Sequence, residues 1–190
     1  MARLIRWTCA GVVATAACGV WTLADNVGAI IAAVPTSGPS TMPAIVPTRP
    51  ADPEAAAAFD LFEHINQLCR DGKADEAAKL VLVPKKMDVA EFAKELADIG
   101  KEQSDGRVYV SIDARSEAGV SLVIIGKKND EGVIKPKDAL GVVQRDGVWK
   151  LLAEEPEDFD HGELTPGELK AFDTLNQWAV QRMVELRGVE

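Results

Sequence analysis

The sequence predicts an α+β fold: N-terminal helices packed on an antiparallel sheet, preceded by an apolar leader and followed by one further helix. Three observations carry this. Apolar residues recur at helical spacing over residues 54–100, they alternate with a period of two over 108–152, and Asp146-Gly147 stands between two alternating runs.

From Glu54 onward Ala58, Phe62, Ile65 and Cys69 form one apolar stripe, with Leu61 and Leu68 beside it, and Asp71-Gly72 ends the helix. A shorter helix is expected around residues 74–81, closed by Pro84. A third starts at Asp88, a predicted N-cap with Glu91 three residues on. Val89, Phe92, Leu96 and Ile99 are its stripe, and Gly100 is expected to stop it.

The pattern then turns to strand. Val108, Val110 and Ile112 alternate with Tyr109, Ser111 and Asp113, which places Tyr109 and Asp113 on one shared face. Glu117-Ala118-Gly119 turns the chain into VSLVIIG, apolar on both faces and therefore expected to be central. Asn129-Asp130-Glu131-Gly132 is another turn, and a third strand follows, with an interruption at Pro136 left open. Pairing across Asp146-Gly147 puts Leu140, Val142, Trp149 and Leu151 on one face, with Gln144 opposite Trp149. Residues 154–163 are acidic and irregular. Thr165, Pro166 and Glu168 then supply a cap, a first-turn proline and a capping-box partner for a helix reaching about Arg187. Its Leu169, Phe172, Leu175, Ala179 and Leu186 lie near one side, suited to packing on the sheet or to reaching a partner.

The organisation expected is residues 1–34 as a signal peptide or membrane anchor, 35–53 as a proline-rich linker, 54–153 as the α+β domain, and 154–190 as an acidic loop and C-terminal helix. Arg3 and Arg6 precede Trp7–Ala24, which carries no charge, and this is the physical signature of a secretory leader. Three fates compete: cleavage near Ala24, retention as a transmembrane helix with Trp7 and Trp21 at the interfaces, or lipidation at Cys18 in Thr15-Ala16-Ala17-Cys18-Gly19. That last segment resembles the bacterial lipobox, although Thr15 stands where leucine is usual. Each fate places the domain outside the cytoplasm, as a periplasmic, extracellular or membrane-anchored protein of the cell envelope. The six prolines of residues 35–53 read as an extended, semi-rigid spacer.

The helices followed by a strand meander ending in VVQRDGVWKLL resemble the nuclear transport factor 2-like superfamily over about residues 54–153. The resemblance implies a curved sheet wrapped around a long helix, a cone with an apolar pocket. It also implies a choice between isomerases or dehydratases with a pocket Asp or His as base and exported modules without activity.

A formal net charge of −9, concentrated after residue 50, argues against nucleic acid and against anionic membrane surfaces as partners of the domain. Membrane association is expected through an uncleaved leader alone. Cys69 is the one cysteine outside the leader, so no internal disulfide forms in the domain; on an apolar stripe it reads as a small buried hydrophobe. The candidate catalytic groups are Asp113 and His64 as base and Tyr109 as hydrogen-bond donor, with Trp149 and Tyr109 as ligand contacts. Against them stand plain readings: His64 at the boundary of a helix, Asp113 and Tyr109 on a solvent face, Trp149 in the core, His161 solvated in the acidic loop. No metal-ligand or phosphate-binding motif is present in the sequence and no cofactor is implied. The expectation is an exported, non-enzymatic module for a small apolar ligand or a partner protein. The alternatives are an isomerase or dehydratase, and an envelope scaffold docking through its C-terminal helix.

Overall fold

The computed structural model describes residues 44–106 and 108–188; the apolar leader with Cys18 and the first part of the proline-rich segment lie outside them. α1 (Pro53–Arg70) starts at Asp52, whose carboxylate accepts the Ala55 N–H, with Pro53 at the first helical position where no N–H is needed. It buries Ala58, Phe62, Ile65 and Cys69, the stripe read from the sequence, together with Phe59. α2 (Ala74–Ala78) is shorter than expected, because the chain leaves the helix to form β1 (Val81–Leu82).

α3 (Val89–Ser104) is capped by Asp88, whose carboxylate accepts the Ala90 N–H, but it runs through Gly100. A Cβ at Gly100 would sit 2.2 Å from the Cys69 carbonyl oxygen. The glycine is therefore the point where α3 rests directly on the backbone of α1, and not a stop signal.

The sheet consists of β1, β2 (Val108–Glu117), β3 (Val120–Lys128), β4 (Ile134–Arg145) and β5 (Val148–Leu152), in the order β1-β5-β4-β3-β2. β1 runs parallel to β5, so the sheet is mixed where an antiparallel one was expected; two residues are too few for alternation to betray a strand. β3 lies between β2 and β4 and is buried on both faces, as its unbroken apolar run implies. Asp146 and Gly147 both have positive φ, a type I′ hairpin that pairs Gln144 with Trp149 and Val142 with Leu151 as expected.

The turn between β2 and β3 repeats this geometry with Ala118 at φ 51° and Gly119 at φ 79°. A Cβ in the left-handed region costs about 1 kcal/mol. Ala118→Asn, which creates the favoured Asn-Gly pair, is expected to raise the melting temperature by about 2–4 °C. A calorimetric midpoint that stays put or drops overturns this assignment of strain.

Helices cover both faces. α1, α2 and α3 pack on Val123, Ile125, Leu140, Val142 and Leu151. α4 (Pro166–Arg187) packs Phe172, Leu175, Ala179 and Met183 on Val120, Leu122, Ile124 and Val143 of the opposite face. The C-terminal helix is thus packed on the sheet, with Ala171, Phe172, Leu175, Ala179 and Met183 buried in the core of that face. α4 opens with the predicted capping box, in which Thr165 Oγ1 accepts the Glu168 N–H and the Glu168 carboxylate accepts the Thr165 N–H. Arg145, at the end of β4, donates to both Glu168 carboxylate oxygens and to the Glu163 carbonyl. Burial opposes the Glu168 charge, but the hydrogen bonds from Arg145 and Thr165 outweigh it and hold the carboxyl below its ordinary range.

The end of the proline-rich segment is docked on the domain. The Thr48 N–H donates to the Ile112 carbonyl at 3.0 Å, Arg49 forks onto Asp60 of α1, and Ile45 packs on the α4 side of the core. Residues 44–50 therefore cover part of the β2 edge, where a free spacer was expected. Among the described residues no helix is long and apolar enough to cross a membrane.

Candidate functional site

Two irregularities in the sheet shape the site, and both face the same stretch of β3. On β2 the pairing jumps from Ser111↔Ile125 to Asp113↔Ile124, leaving Ile112 as an extra residue. On β4 it jumps from Asp138↔Ile125 to Pro136↔Gly126, leaving Lys137 extra. Each bulge bends its strand and resets which side chains face inward. Gly126 sits in the bend, where a Cβ would meet Ile112 Cδ1 at 2.6 Å and Ile134 Cγ2 at 2.7 Å.

Polar contacts hold the β2 bulge from both sides. The Ser111 N–H donates to Glu63 Oε1 of α1 at 2.6 Å and the Ser111 hydroxyl to the Phe59 carbonyl at 3.2 Å. On the far face Arg182 Nε of α4 donates to Asp113 Oδ2 at 2.9 Å. On the α1 and α3 side a buried amide chain ties those two helices to β2. Arg70 donates to Gln103 Oε1, Gln103 to Asn66 Oδ1, and Asn66 to the Tyr109 carbonyl. Every member of that chain has a partner, which is what lets Asn66 and Gln103 sit buried at this junction.

Between α1, α3 and the sheet lies a cavity of about 360 Å3. Phe62, Ile65 and Cys69 of α1, Leu96 and Ile99 of α3, and Ile125, Leu140 and Leu151 of the sheet form its apolar wall. Tyr109, Lys137 and Asp138 enter from the bulged part of the sheet. A volume of this size, mostly apolar with a few polar groups, is typical of small-molecule sites. Burial pushes the Asp138 carboxyl up to about 6, against weaker lowering by the Ala139 N–H and by Lys137, with the Glu155 charge adding to the rise. Lys137 Nζ donates to Tyr109 Oη at 3.3 Å and lies 5.0 Å from the centre of its ring. Burial pushes the Cys69 thiol up to about 11, partly opposed by Arg70, so this cysteine is wall and not nucleophile.

Of the sequence candidates, Tyr109 is in the cavity. Asp113 is not: the bulge at Ile112 separates its parity from that of Tyr109, and it faces α4 in an ion pair with Arg182. His64 is exposed on the outside of α1 and does not line the cavity. His161 is exposed beside Phe159 and Leu164, at a separate surface hollow. Trp149 packs against the α1-side core and is not among the residues that line this cavity. Asp138 is the residue the sequence reading missed. Its signal was present, for it lies two residues before Leu140 and four before Val142, in phase with the inward face already assigned.

No family model matches the chain, and no curated protein matches it. Among solved structures, a Campylobacter jejuni protein described as a nuclear transport factor 2-like transpeptidase is similar over 49% of this chain and 94% of its own, with 8% identity and a TM-score of 0.38. At that level no residue role or activity passes from it to this chain.

Proposed function

We propose that the chain is an exported, non-enzymatic module that holds a small, mainly apolar molecule between α1, α3 and the sheet, in a nuclear transport factor 2-like frame. The cavity itself is the observation that supports this: an apolar chamber of about 360 Å3 with Tyr109 and Asp138 at one end. The frame is supported by the order of elements, helices first and then a strand meander with two bulges. Export rests on Arg3 and Arg6 ahead of the uncharged run Trp7–Ala24.

The test is a titration of the full chain with 2-phenylethanol, 2-phenylethylamine and phenylacetate, followed by amide chemical shifts. Saturable shifts should gather at Asn66, Tyr109, Ile125 and Leu140, and Ile99→Trp, which fills the chamber from its rim, should abolish them. Absence of saturable shifts with all three probes ends the reading.

One observation favours a second reading. A carboxyl group titrating at about 6 inside an apolar chamber suits proton transfer at neutral pH, so Asp138 replaces Asp113 and His64 as the base of an isomerase or dehydratase, with Tyr109 as donor. Proton exchange at the α-carbon of a cyclic ketone is the assay. Exchange that persists in Asp138→Asn removes Asp138 from that role.

A further inference from the structure

The charges around the cavity are one-sided. Glu91, Glu95, Asp98 and Glu102 all belong to α3 and all line the cavity. Their spacing of four, three and four residues makes one continuous stripe along the helix face that borders the opening. Asp138 adds a fifth carboxyl on the sheet side. Two ammonium groups line the same space, Lys94 and Lys137.

Lys137 is turned to Tyr109, whose hydroxyl accepts its hydrogen bond and whose ring it overlies together with Lys127 at 5.9 Å. Lys101, on the outer side of α3, holds Asp98 at 2.8 Å. Among the described residues Asp138 forms no ion pair and accepts one hydrogen bond, from the Ala139 N–H at 2.9 Å. The chamber thus combines an apolar wall, a carboxyl without a cationic partner at one end, and a predominantly acidic border.

We infer that the cavity selects a small apolar amine, whose ammonium group is held by the Asp138 carboxylate and whose entry is favoured by the acidic stripe of α3. This rests on the ligand-binding reading above and deepens it. An ammonium head supplies an ion pair and further donors to Asp138 beyond the Ala139 N–H, and an apolar body matches Phe62, Ile65, Leu96 and Leu140. A carboxylate ligand would meet the Asp138 carboxylate and no cation paired with it. A neutral alcohol fits the wall and gains nothing from the charge.

The binding is also linked to protons. The titratable groups that line the cavity with Asp138 are Lys137 and Tyr109 on the sheet, the α3 carboxylates with Lys94, and Cys69 on α1, while Lys137 and Glu155 act on its charge. The Asp138 carboxyl titrates near 6, so an amine binds its ionised form and loses affinity as pH falls through that range.

The experiment compares 2-phenylethylamine, 2-phenylethanol and phenylacetate on the full chain, at pH 8 and pH 5. The amine is expected to bind about tenfold more tightly than the alcohol at pH 8, and to lose about tenfold at pH 5, while phenylacetate binds least. Asp138→Asn should erase the difference between amine and alcohol while the alcohol still binds. Equal affinities for amine and alcohol in the wild type, tightest binding of phenylacetate, or an amine preference that survives Asp138→Asn overturns the inference and leaves the cavity reading standing. Absence of saturable binding by all three probes ends both.

Discussion

A chain truncated after Glu163 is expected to lose its cooperative fold and not to leave a stable core of residues 54–153. Phe172, Leu175 and Ala179 of α4 are almost wholly buried against Val120, Leu122, Ile124 and Val143, themselves buried. Removing the helix exposes that entire face of the sheet, and it strands Arg145 without the Glu168 carboxylate. A single large-to-small change there costs about 3–5 kcal/mol, and a domain of this kind has about 5–15 kcal/mol in total. Phe172→Ala should therefore lower the urea midpoint sharply, and truncation should abolish the near-ultraviolet dichroism. A truncated protein that melts cooperatively at the wild-type temperature would show that α4 is an appendage. Such a result would favour the scaffold reading, in which the helix docks on a partner.

Asp138→Asn is expected to stabilise the domain near pH 7.5, by on the order of 2 kcal/mol after allowance for its partial contact with solvent. The folded carboxyl titrates at about 6, above the ordinary value of 3.8, so the fold binds a proton more tightly than the unfolded chain does. The wild type therefore carries the full penalty of a buried charge above pH 6. It sheds that penalty between pH 6 and pH 4, and bears none of it below both values. Asparagine has no such dependence, so the gap between variant and wild type should close as the solution is acidified. Denaturation midpoints of both proteins at pH 4, 5, 6 and 7.5 measure it. A gap that is constant with pH would place Asp138 in water. Stability given up at one residue in a cavity is characteristic of a group kept for function.

The parts of the fold legible in the sequence were those governed by local rules. Asp146-Gly147 demanded a hairpin, Thr165 with Glu168 demanded a helix start, and the unbroken apolar run of β3 demanded burial on both faces. What escaped depended on contacts distant in the chain. Gly100 has the composition of a stop, and its role is visible once Cys69 is known to lie against it. Counting by twos along β2 carried Asp113 to the face of Tyr109, because nothing local marks Ile112 as supernumerary. The same counting, taken backward from Leu140, crosses no irregularity and would have reached Asp138. A site built on bulges is hidden from alternation on one side of each bulge and open to it on the other. His64 and Trp149 illustrate the remaining gap, since chemistry on a helix or hairpin means little until the cavity's position is known.

The two bulges have an evolutionary corollary. In an even strand, losing one residue exchanges its two faces and ruins the core, so such deletions are purged. Here loss of Ile112 or of Lys137 would restore simple alternation with Tyr109, Ala114, Asp138 and Leu140 all still directed inward. The lineage can therefore flatten this sheet by single-codon deletions without scrambling its apolar pattern, and the chamber would shrink as the bend relaxed. Pocket depth in this architecture is thus an inheritable dial with two clicks, separable from the decision to fold at all.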